Sequence, residues 1–251
     1  LTEMIKRHKP SHIFNLCGQP YVLKSWDMID ETIYGSGLIP CHFLKAISEI
    51  DRGIKFFQAS SSEIFKPDDG TGLTEESFIL PRTPYGCAKA MAHNMVASFR
   101  ENYDMFAVNG ILFNHESPRR RDNFLSQKVV REAVKISKGR SSKLELGNLN
   151  IERDWGYAPE YMEAATKMLE YDKPEDFVIA TGETHTVEDM VKAVFEYLNL
   201  DYKAYIHINE EYVRPFEPKV RRGIPTKAQK LLEWKSDTTF EQMLHLMVES
   251  E

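Results

Sequence analysis

Two short stretches hold residues able to do chemistry. The first, Gln58-Ala59-Ser60-Ser61-Ser62-Glu63, ends with a hydroxyl and a carboxylate two positions apart. The second, Tyr85-Gly86-Cys87-Ala88-Lys89, begins 22 residues after Glu63. A hydroxyl, a carboxylate, a phenol and an ammonium suit oxidation of an alcohol followed by removal of a proton from its neighbour. Tyr85 and Lys89, four apart at the start of a helix, share one face. An ammonium beside a phenol favours phenolate, so the spacing predicts a Tyr85 pKa drawn down from ~10. Ser61 and Glu63 follow a buried strand, where extended backbone points residues two apart the same way. In open α/β sheets, ligands collect at the carboxyl ends of strands. Each stretch alone is ordinary: Tyr-x-x-x-Lys recurs on helices by chance, and Ser-rich turns often hold a solvated Glu. Their conjunction is not.

A third run, Asn114-His115-Glu116-Ser117-Pro118-Arg119-Arg120-Arg121, follows another strand. Adjacent arginines usually form a solvated patch, but at a strand's carboxyl end they suit phosphate recognition. Lys128, Arg153, Arg214, Arg221 and Arg222 add cations in the second half. Singly each reads as surface charge. Converging, several would offset the two charges of a sugar-nucleotide diphosphate. His115 has no metal partner in the pattern, so a structural hydrogen bond is expected of it, and no metal site is predicted. Trp155 is expected in the core.

The elements that must position these groups alternate. Helical character over 1–8 leads to a buried strand at 11–16, a helix within 26–50 weakened by Gly35 and Gly37, and a strand at 55–59. A polar loop then runs to the long helix 85–103, apolar at Ala88, Met91, Met95, Val96 and Phe99, and to a strand at 106–112. Strands separated by helices imply parallel pairing in an α/β doubly wound sheet. Beyond 114 the pattern changes. Helices are predicted at 124–138 and 159–169, strands at 144–146, 153–157, 177–180 and 204–208. Thr186 and Asp189 form a capping box opening a helix to 198, and small helices lie near 227–232 and 240–248.

With 251 residues, 42% hydrophobic, the chain can bury a sizeable core without disulfides or metals. A net charge of −6 argues against a nucleic-acid or membrane-surface binder. No apolar run approaches a ~18-residue membrane span. Cys17, Cys41 and Cys87, an odd number in apolar settings without metal-site spacing, are expected to be reduced thiols of a cytoplasmic protein.

Taken together, these residues resemble the extended short-chain dehydrogenase/reductase family and, within it, the GDP-mannose 4,6-dehydratases. The most specific stretches are FFQASSSEIF (56–65), PRTPYGCAKA (81–90), FAVNGILFNHESPRR (106–120), LGNLNIERDWGYAPEYMEA (146–164) and PEDFVIATGETHTVEDMV (174–191). The resemblance implies a Rossmann-type sheet, incomplete here, over 1–116 with a helix and strand from 157–182. It also implies a smaller α+β substrate-binding region, mainly 117–251. It makes Ser61 (where the family usually has Thr), Glu63, Tyr85 and Lys89 catalytic. Leu16, Tyr85, Lys89, His115, Ser117, Arg119 and Arg120 would meet the cofactor, NADP, with loop 117–120 reaching a neighbouring subunit in family tetramers. Asn114, Lys128, Arg153, Arg214 and Glu217 would hold GDP-mannose or a related nucleotide sugar. A homo-oligomer, dimer or tetramer, is implied.

The sequence also departs from the family. No Gly-x-Gly-x-x-Gly or Gly-x-x-Gly-x-x-Gly loop occurs, and the chain opens at Leu1 rather than Met. The family's first strand, glycine-rich turn, next helix and following strands, roughly 60–80 residues at ~30 per βαβ unit, are absent from this sequence. Cys17-Gly18-Gln19-Pro20-Tyr21 replaces a more usual Ala-Ala-Gln-Ser-His. Lys66 stands in place of Gly, and Lys219 and Ile224 in place of acidic residues. Two alternatives stay open: a non-catalytic structural or regulatory subunit, and an epimerase or reductase on a related nucleotide sugar.

Overall fold

The structure is a computed structural model and describes residues 1–213 and 217–251. In chain order the strands are β1 (His12–Asn15), β2 (Lys55–Ser61), β3 (Ala107–Leu112), β4 (Asn114–Glu116), β5 (Leu144–Leu146), β6 (Glu152–Arg153), β7 (Trp155–Tyr157), β8 (Phe177–Ile179), β9 (His185–Thr186), β10 (Ile206–Ile208) and β11 (Val220–Arg221). The helices are α1 (Thr2–His8), α2 (Ile29–Thr32), α3 (Ile39–Ile50), α4 (Pro84–Tyr103), α5 (Leu125–Ser137), α6 (Ala158–Glu170), α7 (Val187–Tyr197), α8 (Thr226–Leu231) and α9 (Phe240–Glu249).

The central sheet runs β1-β2-β3-β8 with every pair parallel. β3 is buried throughout and β2 from its second residue on, as expected of strands covered on both faces. Alternation along them divides the core. Phe56 and Ala107 pack with Ile5, Leu44, Ile47 and Val96 from α1, α3 and α4. Phe57, Val108 and Leu112 pack on the other face with Tyr161, Ala165 and Met168 of α6 and with Ala228 of α8. This is the doubly wound α/β arrangement expected from the alternating pattern. A separate core joins α5, α7 and α9 around Leu144, Leu146 and Trp155, whose indole is buried as expected. Thr186 and Asp189 make the expected capping box, and Thr239 with Gln242 makes a second.

Three expectations need correction. The helix placed within 26–50 is not continuous: α2 leads into a π-helical turn, Ile33–Leu38, and then α3. Pro40 has no N–H to offer Ser36 and its ring crowds that carbonyl, which widens the turn before it. Gly37 also sits against α4, where a Cβ would lie 3.3 Å from the Met91 sulfur. The strand placed at 153–157 is broken at Asp154, so β6 pairs with β9 and β11 while β7 pairs with β4. Apolar surroundings were expected for all three cysteines, yet Cys17 and Cys87 are exposed. Among the described residues, no helix is long and apolar enough to cross a membrane.

Candidate active site

β2 ends at Ser61 and the chain turns at once into a short 3-10 turn, Ser62–Ile64. Ser61 Oγ accepts the Glu63 N–H at 3.2 Å, which leaves the hydroxyl proton free to point elsewhere. α4 starts beside that turn. Thr83 caps it by accepting the Gly86 N–H, and Pro84 opens it, with φ already suited to a helix. Gly86 is the contact point: a Cβ there would lie 2.5 Å from the Glu63 carbonyl oxygen. Only glycine lets the Tyr85 turn approach the Glu63 turn this closely. Tyr85 is further pinned by its N–H, which donates to the buried Ser25 hydroxyl at 3.2 Å. One turn along α4, Lys89 Nζ donates to the Ala59 carbonyl at 2.9 Å.

Ser61, Glu63, Tyr85 and Lys89 line one cavity of about 560 Å³ at the carboxyl ends of β1, β2 and β3. Leu16, Asn114, His115, Arg120, Arg153 and Glu217 line it too. A second chamber of about 330 Å³ adjoins it, sharing Glu63, Arg153 and Glu217 and adding Trp26 and Arg82. Arg153 is buried; its Nη1 donates to the Glu152 and Pro218 carbonyls, and its Nη2 meets Glu217 Oε1 at 3.1 Å. Ser117, Arg119 and Lys128 do not line either chamber. Arg119 is exposed, and the Lys128 ammonium lies 3.8 Å from the centroid of the Tyr212 ring. Arg214 lies outside the described residues.

The expectation that Lys89 draws the Tyr85 phenol toward phenolate is not met. The Lys89 ammonium stands 5.8 Å from the ring centroid and is bonded to a backbone carbonyl. Tyr85 is only partly covered over its whole surface, yet its surroundings are dense enough for desolvation to lead. Burial pushes the phenol up to about 12; a hydrogen bond with Ser61 and the nearby Arg120 pull it down, while Glu63 pushes it up. Burial draws Lys89 down to about 8, against the opposing influence of Cys17. His115 makes the expected structural hydrogen bond, Nδ1 to the Phe113 carbonyl at 2.8 Å, and burial draws it down to about 4. Of the three adjacent arginines, only Arg120 turns inward. Its Nε lies 2.9 Å from the buried Glu116 carboxylate, and its guanidinium lies 3.5 Å from the centroid of Phe124, which stacks on Tyr21.

Several residues here carried no usable signal in the sequence. Ser25 and Tyr21 are single polar and aromatic residues in an irregular segment. Arg221, read as surface charge, is buried behind Glu63; nothing distinguishes it from Arg222 beside it.

No glycine-rich phosphate cradle is present in the sequence. The residues present do fit the reactive end of a nicotinamide cofactor: Lys89 keeps two N–H groups beyond the one given to Ala59, beside a phenol on the cavity wall. Among the described residues, no group of His, Cys, Asp or Glu could hold a metal ion.

A family model described as GDP-mannose 4,6 dehydratase matches residues 1–247. The chain belongs to the GDP-mannose 4,6-dehydratase family. A GDP-mannose 4,6 dehydratase of Dictyostelium discoideum is 40% identical, over 99% of this chain and 75% of its own length. GDP-mannose 4,6 dehydratase 2 of Arabidopsis thaliana is 41% identical over 97% of this chain and 66% of its length. The Homo sapiens relative is 38% identical over 100% and 73%. The chain thus spans between about two thirds and three quarters of these dehydratases. Among solved structures, RMD from Pseudomonas aeruginosa complexed with NADPH superposes with a TM-score of 0.89 at 19% identity, covering 96% of this chain and 81% of that one. A Thermotoga maritima UDP-glucose 4-epimerase with UDP-glucose gives 0.87 at 21% identity, covering 99% and 79%. At such identities these likenesses establish the fold.

Proposed function

We propose that the chain converts GDP-mannose to GDP-4-keto-6-deoxymannose by internal hydride transfer and loss of water. The observation that carries this reading is the meeting of Glu63 and Tyr85 in one cavity, held edge to edge at Gly86. An epimerase or reductase has no need of a carboxylate at that place.

A nicotinamide cofactor, when bound, supplies the acceptance of a hydride from the sugar and its return. Tyr85 and Lys89 are the residues that would hold it, and the family resemblance favours NADP. Tyr85 takes the proton of the C4 hydroxyl; the Ser61 hydroxyl and the Arg120 charge act in favour of the deprotonated phenol. A ketone at C4 acidifies the C5 proton, and Glu63 removes it. Glu63 then returns that proton to the departing C6 hydroxyl as water, with Ser61 as a hydrogen-bond donor. Arg153 and Glu217 line both chambers; by the family resemblance Arg153 would hold the diphosphate and Glu217 would face the guanine. Asn114, which lines the same cavity as Glu63 and Tyr85, would contact the substrate by that resemblance. A cytoplasmic homo-oligomer accompanies this reading through the family resemblance.

Glu63→Gln tests it. The variant, given NADP and GDP-mannose, is expected to show the absorbance of reduced nicotinamide while releasing no 4-keto-6-deoxy product. Product formed at the wild-type rate would overturn the assignment. Failure of the folded wild-type protein to bind either ligand would favour the non-catalytic alternative.

A further inference from the structure

Behind Glu63, away from the cavity, stands a buried guanidinium. Arg221 lies on β11 directly beside Arg153 of β6 in the strand register, with its side chain 4% exposed. Arg153 lines both chambers; Arg221 lines neither. Its Nη1 donates to the carbonyl of Ser62, the residue between Ser61 and Glu63. Its Nε faces Glu63 Oε1 at 3.7 Å, an ion-pair distance too long for a hydrogen bond, and makes no hydrogen bond among the described residues. A single planar group therefore reaches both the backbone of the catalytic turn and the carboxylate that the turn carries.

Burying a guanidinium with an unmade N–H is unfavourable unless a carboxylate compensates it. The acid that faces Arg221 is Glu63, and the partner guanidinium of Arg153 faces Glu217 instead. The two arginines are adjacent in the sheet, so each carboxylate is held on its own side. We propose that Arg221 is a positioning residue for Glu63. It fixes the turn and aims the carboxylate into the cavity for the two proton transfers, without touching the sugar. This rests on the reading of Glu63 as the elimination acid–base. Proton transfer needs donor and acceptor within hydrogen-bond reach, and a misplacement of ~1 Å can cost about 100-fold. The forked shape matters as well as the charge, because the planar guanidinium holds its N–H groups at fixed angles toward two acceptors, where an ammonium is a compact point charge on a flexible stem.

Single-turnover kinetics on the full protein with NADP and GDP-mannose separate the steps. Arg221→Gln is expected to leave the rise of reduced nicotinamide within about threefold of wild type and the KM for GDP-mannose little changed. Its decay to product should slow by about 10–100-fold. Arg221→Lys should fall between the two. A crystal structure of Arg221→Gln is expected to show Glu63 turned from its wild-type rotamer. Wild-type elimination in Arg221→Gln, or equal loss of both steps with a raised KM, overturns the proposal; the second outcome marks a purely structural residue. Should Arg221→Gln fail to fold, Arg221→Lys decides by the same split between steps. If Glu63→Gln itself eliminates normally, the reading of Glu63 fails, a result distinct from normal elimination in the Arg221 variants alone.

Discussion

His115 sits where the cavity wall meets α6, its ring 5.1 Å from that of Tyr161. Desolvation is the main cause of its low pKa, with Arg120 and Lys89 acting in the same direction and the Phe113 bond opposing them. The folded pKa of about 4 lies below the ordinary 6.5. Between those values the unfolded chain binds a proton that the folded one refuses, so His115 makes stability rise with pH across that window. Asp154, raised from 3.8 to about 6, works the other way, since the fold retains a proton there that the unfolded chain has released. A wild-type melting curve mixes the two. The difference between wild type and His115→Gln isolates the imidazole: wild type should gain on the variant by up to ~3 kcal/mol from pH 4 to 6.5. Chemical denaturation at a series of pH values measures it, and a flat difference would refute the assignment. The site residues differ in how much the sequence disclosed of them. Spacing places Tyr85 and Lys89 on one face, but it carries no information on desolvation or on which acceptor the ammonium chooses. That is why the phenol rises where a fall was expected.

At the scale of elements, the site depends on how near α4 comes to the turn after β2. Besides the Glu63 oxygen, a Cβ on Gly86 would meet Pro81 Cβ at 3.0 Å and Thr83 Oγ1 at 3.2 Å. Gly86→Ala should therefore keep α4, since alanine favours a helix over glycine by ~1 kcal/mol. It should also push the Tyr85 turn off the Glu63 turn. Turnover is expected to fall about 100-fold, with a modest net loss in stability because overpacking costs ~1–3 kcal/mol. Steady-state kinetics beside a thermal melt test this, and wild-type turnover in a folded Gly86→Ala protein would contradict it. β2 and β3 were legible as short runs opening on apolar residues between helical stretches, and α4 by the helical spacing of its apolar positions. The stretch from Trp26 to Ile50 was not, because Pro40 changes the hydrogen-bonding pattern without breaking the apolar period. Nor was the break at Asp154, whose partners are distant in the chain.

Over the whole molecule, Asp154 ties the sheet to the segment that carries Arg221 and Glu217. Its carboxylate accepts the N–H and the hydroxyl of Thr181 at 2.8 Å each, the Gly182 N–H at 2.9 Å and the Gly223 N–H at 3.3 Å. Thr181 and Gly182 follow β8 of the central sheet, and Gly223 follows β11. The approach there is close: a Cβ on Gly223 would lie 2.2 Å from that of Ala180. Two effects compete when Asp154 becomes alanine. Losing a buried charge whose pKa is raised by about two units relieves roughly 3 kcal/mol. Orphaning three backbone N–H groups costs ~1–3 kcal/mol each. The donors outweigh the charge, so Asp154→Ala should lose about 2–4 kcal/mol at neutral pH. The loss should be larger near pH 4, where wild type holds the proton, and should shrink as pH rises to about 6. Freed of its tie, β11 should also hold Glu217 and Arg221 less firmly, raising the KM for GDP-mannose and slowing elimination together. An Asp154→Ala protein as stable as wild type at pH 4, with unchanged kinetics, would mean that this carboxylate does not join the two halves.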